Sequence, residues 1–189
     1  GVAPGDFQIT YRDTSSATSH RDLRLWMTDG ANATVNVGRS PVPAREHVIP
    51  PSYFTNGIWR PSTIISRDVA TGTLSSLFVS VVEPMKNGAS TVLSVERLPV
   101  TGSNLESCAV RVTLTDGRVD IYLVNLRNPE VAGANTGAAT ISTADGKYSL
   151  TGRIGAVTEG PAGSRAWSIK ATDFIYDSSR LANTDRHYG

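Results

Sequence analysis

Apolar and polar residues alternate along most of this chain. The alternation runs through Phe7–Tyr11 and Leu23–Met27, and it continues in Val35–Val37, where Gly38 is expected to end the strand. Successive side chains of a β-strand point to opposite faces, so a period of two predicts strands with one buried face. The run Leu77–Val82 is apolar at nearly every position. It therefore predicts a central strand whose two faces are both covered.

Two Asp-Gly pairs predict the turns of two hairpins. Asp116-Gly117 and Asp145-Gly146 each separate two runs of alternating apolar residues. Asp-Gly is favoured in tight hairpin turns because glycine adopts positive φ without steric cost. Helical pattern is nearly absent, and turn signals recur about every ten residues, which indicates a β-sandwich or a β-barrel and not an alternating α/β fold. We predict an all-β fold, an antiparallel β-sandwich of about ten strands. Residues 1–189 are expected to form one such module, cut from a larger protein.

One long irregular segment, Ser40–Pro61, interrupts the alternation. It contains five of the ten prolines. Proline donates no backbone hydrogen bond, so the segment predicts a loop and excludes a central strand. Aromatic rings stack on sugar rings, and the Arg guanidinium pairs with carboxylate or sulfate. We therefore predict a ligand-binding surface from five residues of this loop: Arg45, His47, Tyr53, Trp59 and Arg60. Alternatively, the aromatic residues of the loop fold inward and cover one end of the sandwich.

The composition narrows the possible partners. A formal net charge of +1 gives no strong attraction to nucleic acid or to an anionic membrane. No apolar run approaches the roughly 20 residues that cross a bilayer. Of the 18 basic residues, 15 are Arg, which suits an acidic polysaccharide, although a GC-rich genome would produce the same bias. Cys108 is the single cysteine. Its apolar neighbours predict a buried, unreactive thiol.

The sequence lacks the usual catalytic motifs. His20, His47 and His187 have no metal-ligand spacing, so we predict no metal and no cofactor. His20 and His187 are expected to be solvated. No Gly-x-Ser-x-Gly motif and no phosphate-binding glycine loop occurs. Glu83 and Glu96 are expected at strand ends or on solvent-facing positions. We therefore predict no catalytic residue.

Four strand-forming segments resemble a known family. The first two are His20–Met27, which contains Leu-Arg-Leu-Trp-Met, and Thr34–Gly38. The most specific is Leu77–Pro84, Leu-Phe-Val-Ser-Val-Val-Glu-Pro, and Val95–Leu98 follows it. Together they cover roughly residues 20–126. This part of the chain resembles the β-domain of the heparinase II/III-like polysaccharide lyases.

The resemblance implies a fold and a role. These lyases join a helical toroid to antiparallel β-sheets, and they abstract the proton beside the carboxylate of a uronic acid. Several of their catalytic groups belong to the toroid, and this chain has no helical pattern that could form one. We therefore hypothesise a non-catalytic, carbohydrate-binding or supporting module of a secreted or periplasmic lyase. The implied partners are an anionic polysaccharide and the catalytic toroid of the parent protein.

Two other functions are left open by the sequence. The chain could be a self-contained polysaccharide-degrading enzyme with a shallow cleft, in which His47 or Glu46 acts as acid or base. It could instead be a structural or assembly domain whose alternation serves stability alone. The resemblance favours the first hypothesis, in which the isolated chain is not an enzyme.

Overall fold

The computed structural model describes residues 6–12, 19–28, 33–41, 59–74, 76–102, 106–126, 139–161, 163–177 and 179–180. Within these residues the chain forms β-strands and no helix, which confirms the all-β prediction. Thirteen strands are described, and two of them, β7 and β13, have only two residues. The strands are β1 Phe7–Arg12, β2 Arg21–Thr28, β3 Thr34–Pro41, β4 Trp59–Ser66, β5 Val79–Lys86, β6 Val92–Leu98, β7 Val100–Thr101, β8 Ser107–Leu114, β9 Val119–Asn125, β10 Thr140–Thr143, β11 Tyr148–Gly160, β12 Gly163–Tyr176 and β13 Ser179–Arg180.

The largest sheet has eight strands and curls into a nearly closed barrel. Its order is β13-β12-β11-β9-β8-β6, and β10 pairs with both β11 and β7. Since β7 follows β6 after a single residue, Pro99, the pairing of β7 with β10 brings the β6 end of the sheet back to β11, while β12 and β13 continue from the other edge of β11. The pairing of β11 with β12 shifts between Thr151 and Gly152. Such irregularities let one strand turn a corner and pair with different neighbours along its length.

Two hydrophobic clusters form the core. The barrel interior is filled mainly by side chains of β9, β10, β11 and β12, which are Ile121, Leu123, Ile141, Tyr148, Leu150, Val157, Ala171 and Phe174, with Leu98 and Ala109. The second cluster lies between the outer face of the barrel and the three-stranded sheet β1-β2-β5, and it contains Trp26, Val79, Val92, Cys108, Val110 and Val112. The fold is thus layered, with one small sheet packed on part of the barrel. Cys108 is buried, as predicted.

Both predicted Asp-Gly hairpins are confirmed. Asp116-Gly117 joins β8 to β9, and Asp145-Gly146 joins β10 to β11. Gly117 has φ +84°, a conformation that residues with a side chain rarely adopt. In each hairpin the Asp Oδ1 accepts a hydrogen bond of 3.1 Å from the backbone N–H two residues later. The Asp side chain therefore stabilises the turn through this hydrogen bond.

The three-stranded sheet corrects the prediction for Leu77–Val82. The strand here is β5, which pairs with β2 and with no other strand in the described part of the chain. Val79 is buried, but Val82 is about half exposed. The prediction of a central strand was wrong because an apolar run does not reveal whether a second layer covers its other face. Pro84 fits an edge strand, where a missing N–H removes no ladder bond.

The irregular segment between Ser40 and Pro61 is shorter than predicted. β3 continues through Gly38 to Pro41, and β4 begins at Trp59, which lies opposite Pro41 in the antiparallel pair. Both strands of a two-stranded sheet have an unpaired edge, so proline is tolerated in either. The proline argument excluded a central strand correctly, but it did not exclude this ribbon. Residues 42–58 lie outside the described residues.

Candidate functional site

The ligand-binding surface predicted from the loop stays a prediction. Arg45, His47 and Tyr53 lie outside the residues that the structure describes. Trp59 and Arg60 are the first two residues of β4, where the structure describes the backbone pairing with β3. The described side chains place a different set of candidate residues on the outer face of the barrel.

Two exposed aromatic side chains lie in one line across β9, β11 and β12. Tyr122 pairs with Ala156, and Ala156 pairs with Trp167. Directly paired residues of neighbouring strands point to the same face of a sheet. Tyr122 is 37% exposed and Trp167 is 45% exposed, whereas Ala156 is 3% exposed. We call these three residues the aromatic row. With two strand spacings between them, the backbones of Tyr122 and Trp167 are about 10 Å apart.

Strand alternation is what turns the aromatic row outward. Ile121 and Leu123 on either side of Tyr122 are fully buried in the barrel interior. Tyr122 must therefore point to the opposite face. Ser168 beside Trp167 is also buried, which places Trp167 on the outer face in the same way. The interior packing of the barrel thus dictates the direction of both rings.

A polar row runs parallel to the aromatic row, two residues away along each strand. Thr158 pairs with Asp120 on one side and with Arg165 on the other. The Thr158 hydroxyl donates a hydrogen bond of 2.7 Å to Asp120 Oδ1. Because side chains two residues apart on a strand share a face, Asp120 adjoins Tyr122 and Arg165 adjoins Trp167. We call Asp120, Thr158 and Arg165 the polar row.

The two rows interact electrostatically at the Tyr122 end. Burial raises the pKa of the Tyr122 hydroxyl, and the negative charge of Asp120 raises it further, against a smaller opposing effect of Arg118. The phenol therefore stays neutral at physiological pH. The Tyr122 end of the site combines an aromatic ring, a neutral hydroxyl and a carboxylate.

Arg165 is a free cation within the described part of the chain. Its side chain is exposed, and no described residue forms an ion pair or hydrogen bond with it. Two other arginines of the barrel are held by acids. Arg111 lies 3.1 Å from Glu96, and Arg118 lies 2.8 Å from Asp116. A guanidinium without a partner among the described residues, beside an exposed Trp, can pair with a carboxylate or sulfate from outside the chain.

Glu83 corrects an expectation from the sequence. It lies inside β5 and is only 3% exposed, whereas the sequence suggested a strand end or a solvent-facing position. Its carboxylate accepts hydrogen bonds from Trp26 Nε1 at 3.0 Å and from the N–H of Thr91 and Val92 at 2.7 and 3.0 Å. These donors make burial of the charge possible. Glu96, by contrast, is exposed as expected.

His20 also differs from its expectation. Its side chain is only 17% exposed, and Nε2 lies 3.3 Å from the fully buried carboxylate of Asp22. His20 is not freely solvated because Asn87 holds its backbone, through one bond to the His20 carbonyl and one from the His20 N–H. Among the described residues, no group of three or more His, Cys, Asp or Glu side chains could hold a metal ion.

Sequence reasoning missed the aromatic row, although part of its signal was present. Tyr122 lies between Ile121 and Leu123, so period-two alternation already placed an aromatic ring on the outer face of a strand. Nothing in the local sequence shows that Trp167 lies two strands away in the same line. That alignment depends on strand order and register.

Comparison with known proteins identified no relatives. No family model, no curated protein and no solved structure matches this chain. In the part of the chain that the structure describes, no helix is long and apolar enough to span a bilayer.

Proposed function

We propose that this chain is a non-catalytic module that binds an anionic polysaccharide through the aromatic row and Arg165. The observation that carries the proposal is the pair of exposed rings, Tyr122 and Trp167, with a guanidinium beside one of them that has no partner among the described residues. Aromatic faces pack on the apolar faces of sugar rings, and guanidinium groups pair with carboxylates. The resemblance to the β-domain of heparinase II/III-like lyases supports a polysaccharide as ligand and a secreted or periplasmic lyase as the parent protein.

The proposal accounts for Ala156 as well. A small residue between two rings leaves an open surface, on which a chain of sugars can contact both rings. A large side chain at position 156 would separate them. The surface lies on three hydrogen-bonded strands, so it is rigid before the ligand arrives, and little ordering entropy is lost on binding.

Titration with uronic-acid polysaccharides tests the proposal. Trp167 lies on the proposed surface, so we expect binding to change tryptophan fluorescence, and Trp167→Ala to weaken binding at least tenfold, as expected for an aromatic anchor worth about 2 kcal/mol. Phe78→Ala is the matched control, because Phe78 is a similarly exposed aromatic ring with an arginine, Arg67, stacked on it. The control variant should bind like the parent chain.

Two outcomes would contradict the proposal. If no polymer binds, the module has no sugar-binding role. If Trp59→Ala abolishes binding and Trp167→Ala does not, the ligand binds at the segment predicted from the sequence and not at the aromatic row. Circular dichroism of each variant establishes that the fold is intact.

A further inference from the structure

The two ends of the aromatic row differ in charge. Arg165 precedes Trp167 by two residues on β12, and Asp120 precedes Tyr122 by two residues on β9. The two residues belong to one polar row, and their backbones are two strand spacings, about 10 Å, apart. A ligand that contacts both rings must therefore meet both charges.

The negative end disfavours an anionic sugar. The Asp120 carboxylate is only partly exposed, and its described hydrogen-bond partner is Thr158. The charge acts on its surroundings, since Asp120 helps to raise the pKa of the neighbouring Tyr122 hydroxyl. A carboxylate or sulfate placed over Tyr122 would meet like charge, which is unfavourable in a partly desolvated site. A neutral sugar would instead donate hydroxyl hydrogen bonds to Asp120.

The positive end favours an anionic sugar for the opposite reason. Arg165 has no acidic partner in the described part of the chain, so pairing with a ligand carboxylate breaks no existing ion pair. The planar guanidinium can bind a carboxylate through two parallel hydrogen bonds while Trp167 packs on the sugar ring. The separation of the two ends is comparable to the length of a disaccharide.

We infer that the aromatic row selects a polysaccharide in which an anionic sugar alternates with a neutral one, and that Asp120 and Arg165 determine this specificity. The inference rests on the proposed function and adds the position of the charge along the ligand. The anionic ring lies over Trp167 and the neutral ring over Tyr122. Polymers with a carboxylate or sulfate on every ring are bound less well, because one charge must face Asp120.

Three probes test this inference on the full chain. They are an unsulfated polymer of alternating uronate and N-acetylhexosamine, its counterpart sulfated on the hexosamine, and a polyuronate. We expect the parent chain to bind the unsulfated alternating polymer about tenfold more tightly than the other two, the effect of one unfavourable charge pair. Asp120→Asn should remove this preference, with a gain of about tenfold for the polyuronate and little change for the alternating polymer.

The complementary variant is Arg165→Gln. It should weaken binding of the alternating polymer about tenfold and reduce its dependence on salt, because the ion pair is lost. The Asn in Asp120→Asn is nearly isosteric and its amide oxygen can still accept the Thr158 hydrogen bond, so the variant is expected to fold.

The outcomes separate this inference from the proposed function. If Trp167→Ala abolishes binding but Asp120→Asn leaves the order of the three polymers unchanged, the site exists and the charge selection is wrong. If Arg165→Gln binds the alternating polymer like the parent chain, Arg165 is not a ligand contact; this result overturns the inference and also removes Arg165 from the proposed function, while the aromatic row is still tested by Trp167→Ala. If no polymer binds to the parent chain, the proposed function itself fails.

Discussion

The buried carboxylate of Glu83 provides the sharpest test of the fold. Its hydrogen bonds join β5 to Trp26 on β2 and to Thr91 and Val92 at the start of β6, so it links the small sheet to the barrel. Glu83→Ala removes the acceptor and leaves the Trp26 indole N–H and the Val92 N–H buried without a partner. Each orphaned buried donor costs about 1–3 kcal/mol, so the substitution should lower the free energy of unfolding by about 2–6 kcal/mol.

Urea unfolding followed by circular dichroism and tryptophan fluorescence measures this loss. Glu96→Ala is the matched control, because Glu96 is an exposed acid on the neighbouring strand β6 whose described ion pair is with Arg111. Exposed ion pairs contribute little, so the control should change the free energy of unfolding by less than about 1 kcal/mol. If Glu83→Ala costs no more than Glu96→Ala, the hydrogen bonds of Glu83 do not stabilise the fold and the reasoning is refuted.

Glu83 also gives stability a dependence on pH. Burial alone would raise the pKa of this carboxyl, but hydrogen bonds from Val92, Ser90, Trp26 and Thr91 outweigh burial and lower it. A pKa below the unfolded value means that the ionised group stabilises the folded state above the unfolded pKa. This contribution is lost as the pH falls through the lower, folded pKa. We expect the acid loss of stability to be smaller in Glu83→Gln than in the parent chain.

Two further predictions concern the barrel interior. A Cβ at Gly155 would lie 2.9 Å from two ring carbons of the buried Phe174. Gly155→Ala should therefore lower the free energy of unfolding in urea by about 1–3 kcal/mol. Adding Phe174→Leu to this variant should restore part of the lost stability, because the smaller side chain relieves the clash. Strictly additive losses would contradict the clash. Burial, then a hydrogen bond to Glu159, raises the pKa of Tyr148 to about 12, with Lys147 opposing. An alkaline titration of phenolate absorbance should therefore show a late-ionising tyrosine that ionises earlier in Glu159→Gln. This tyrosine stabilises the fold below its unfolded pKa of about 10, and its contribution disappears as the pH rises through about 12. A titration unchanged in the variant would refute the contact.

Local pattern was sufficient for the strands and turns of the barrel. The apolar runs around Asp116-Gly117 predicted β8 and β9, because turn chemistry and alternation agree there. The same reasoning failed for β5. Its apolar residues predicted that both faces of the strand are buried, but Val82 lies at the surface. Coverage of a face depends on which layer packs on it, and that is a tertiary property. The local sequence pattern could not predict closure of the barrel either, because closure depends on the pairing of β7 with β10.

The candidate site was harder to predict than the fold. Sequence reasoning looked for aromatic and Arg residues that are close along the chain, and it therefore chose the Pro-rich segment between β3 and β4. The aromatic row instead combines residues from three strands. Tyr122 and Trp167 are far apart in sequence, and only the register of β9, β11 and β12 aligns them. A one-residue shift in that register would turn one ring into the barrel.

The change of residue type along the two rows is what the proposed binding role predicts for the exposed faces of the rings. On β8 the same rows contain Val110 and Val112, which are buried beneath the three-stranded sheet. On β9 and β12, which that sheet does not cover, the aromatic row has Tyr122 and Trp167. The polar row has the Asp120 carboxylate and the Arg165 guanidinium, which has no partner in the described part of the chain. The exposed part of each ring contributes nothing to the free energy of folding, because that surface remains in water. Their alignment beside Arg165 becomes favourable only when a ligand removes that surface from water, which is the condition that the polysaccharide titration measures.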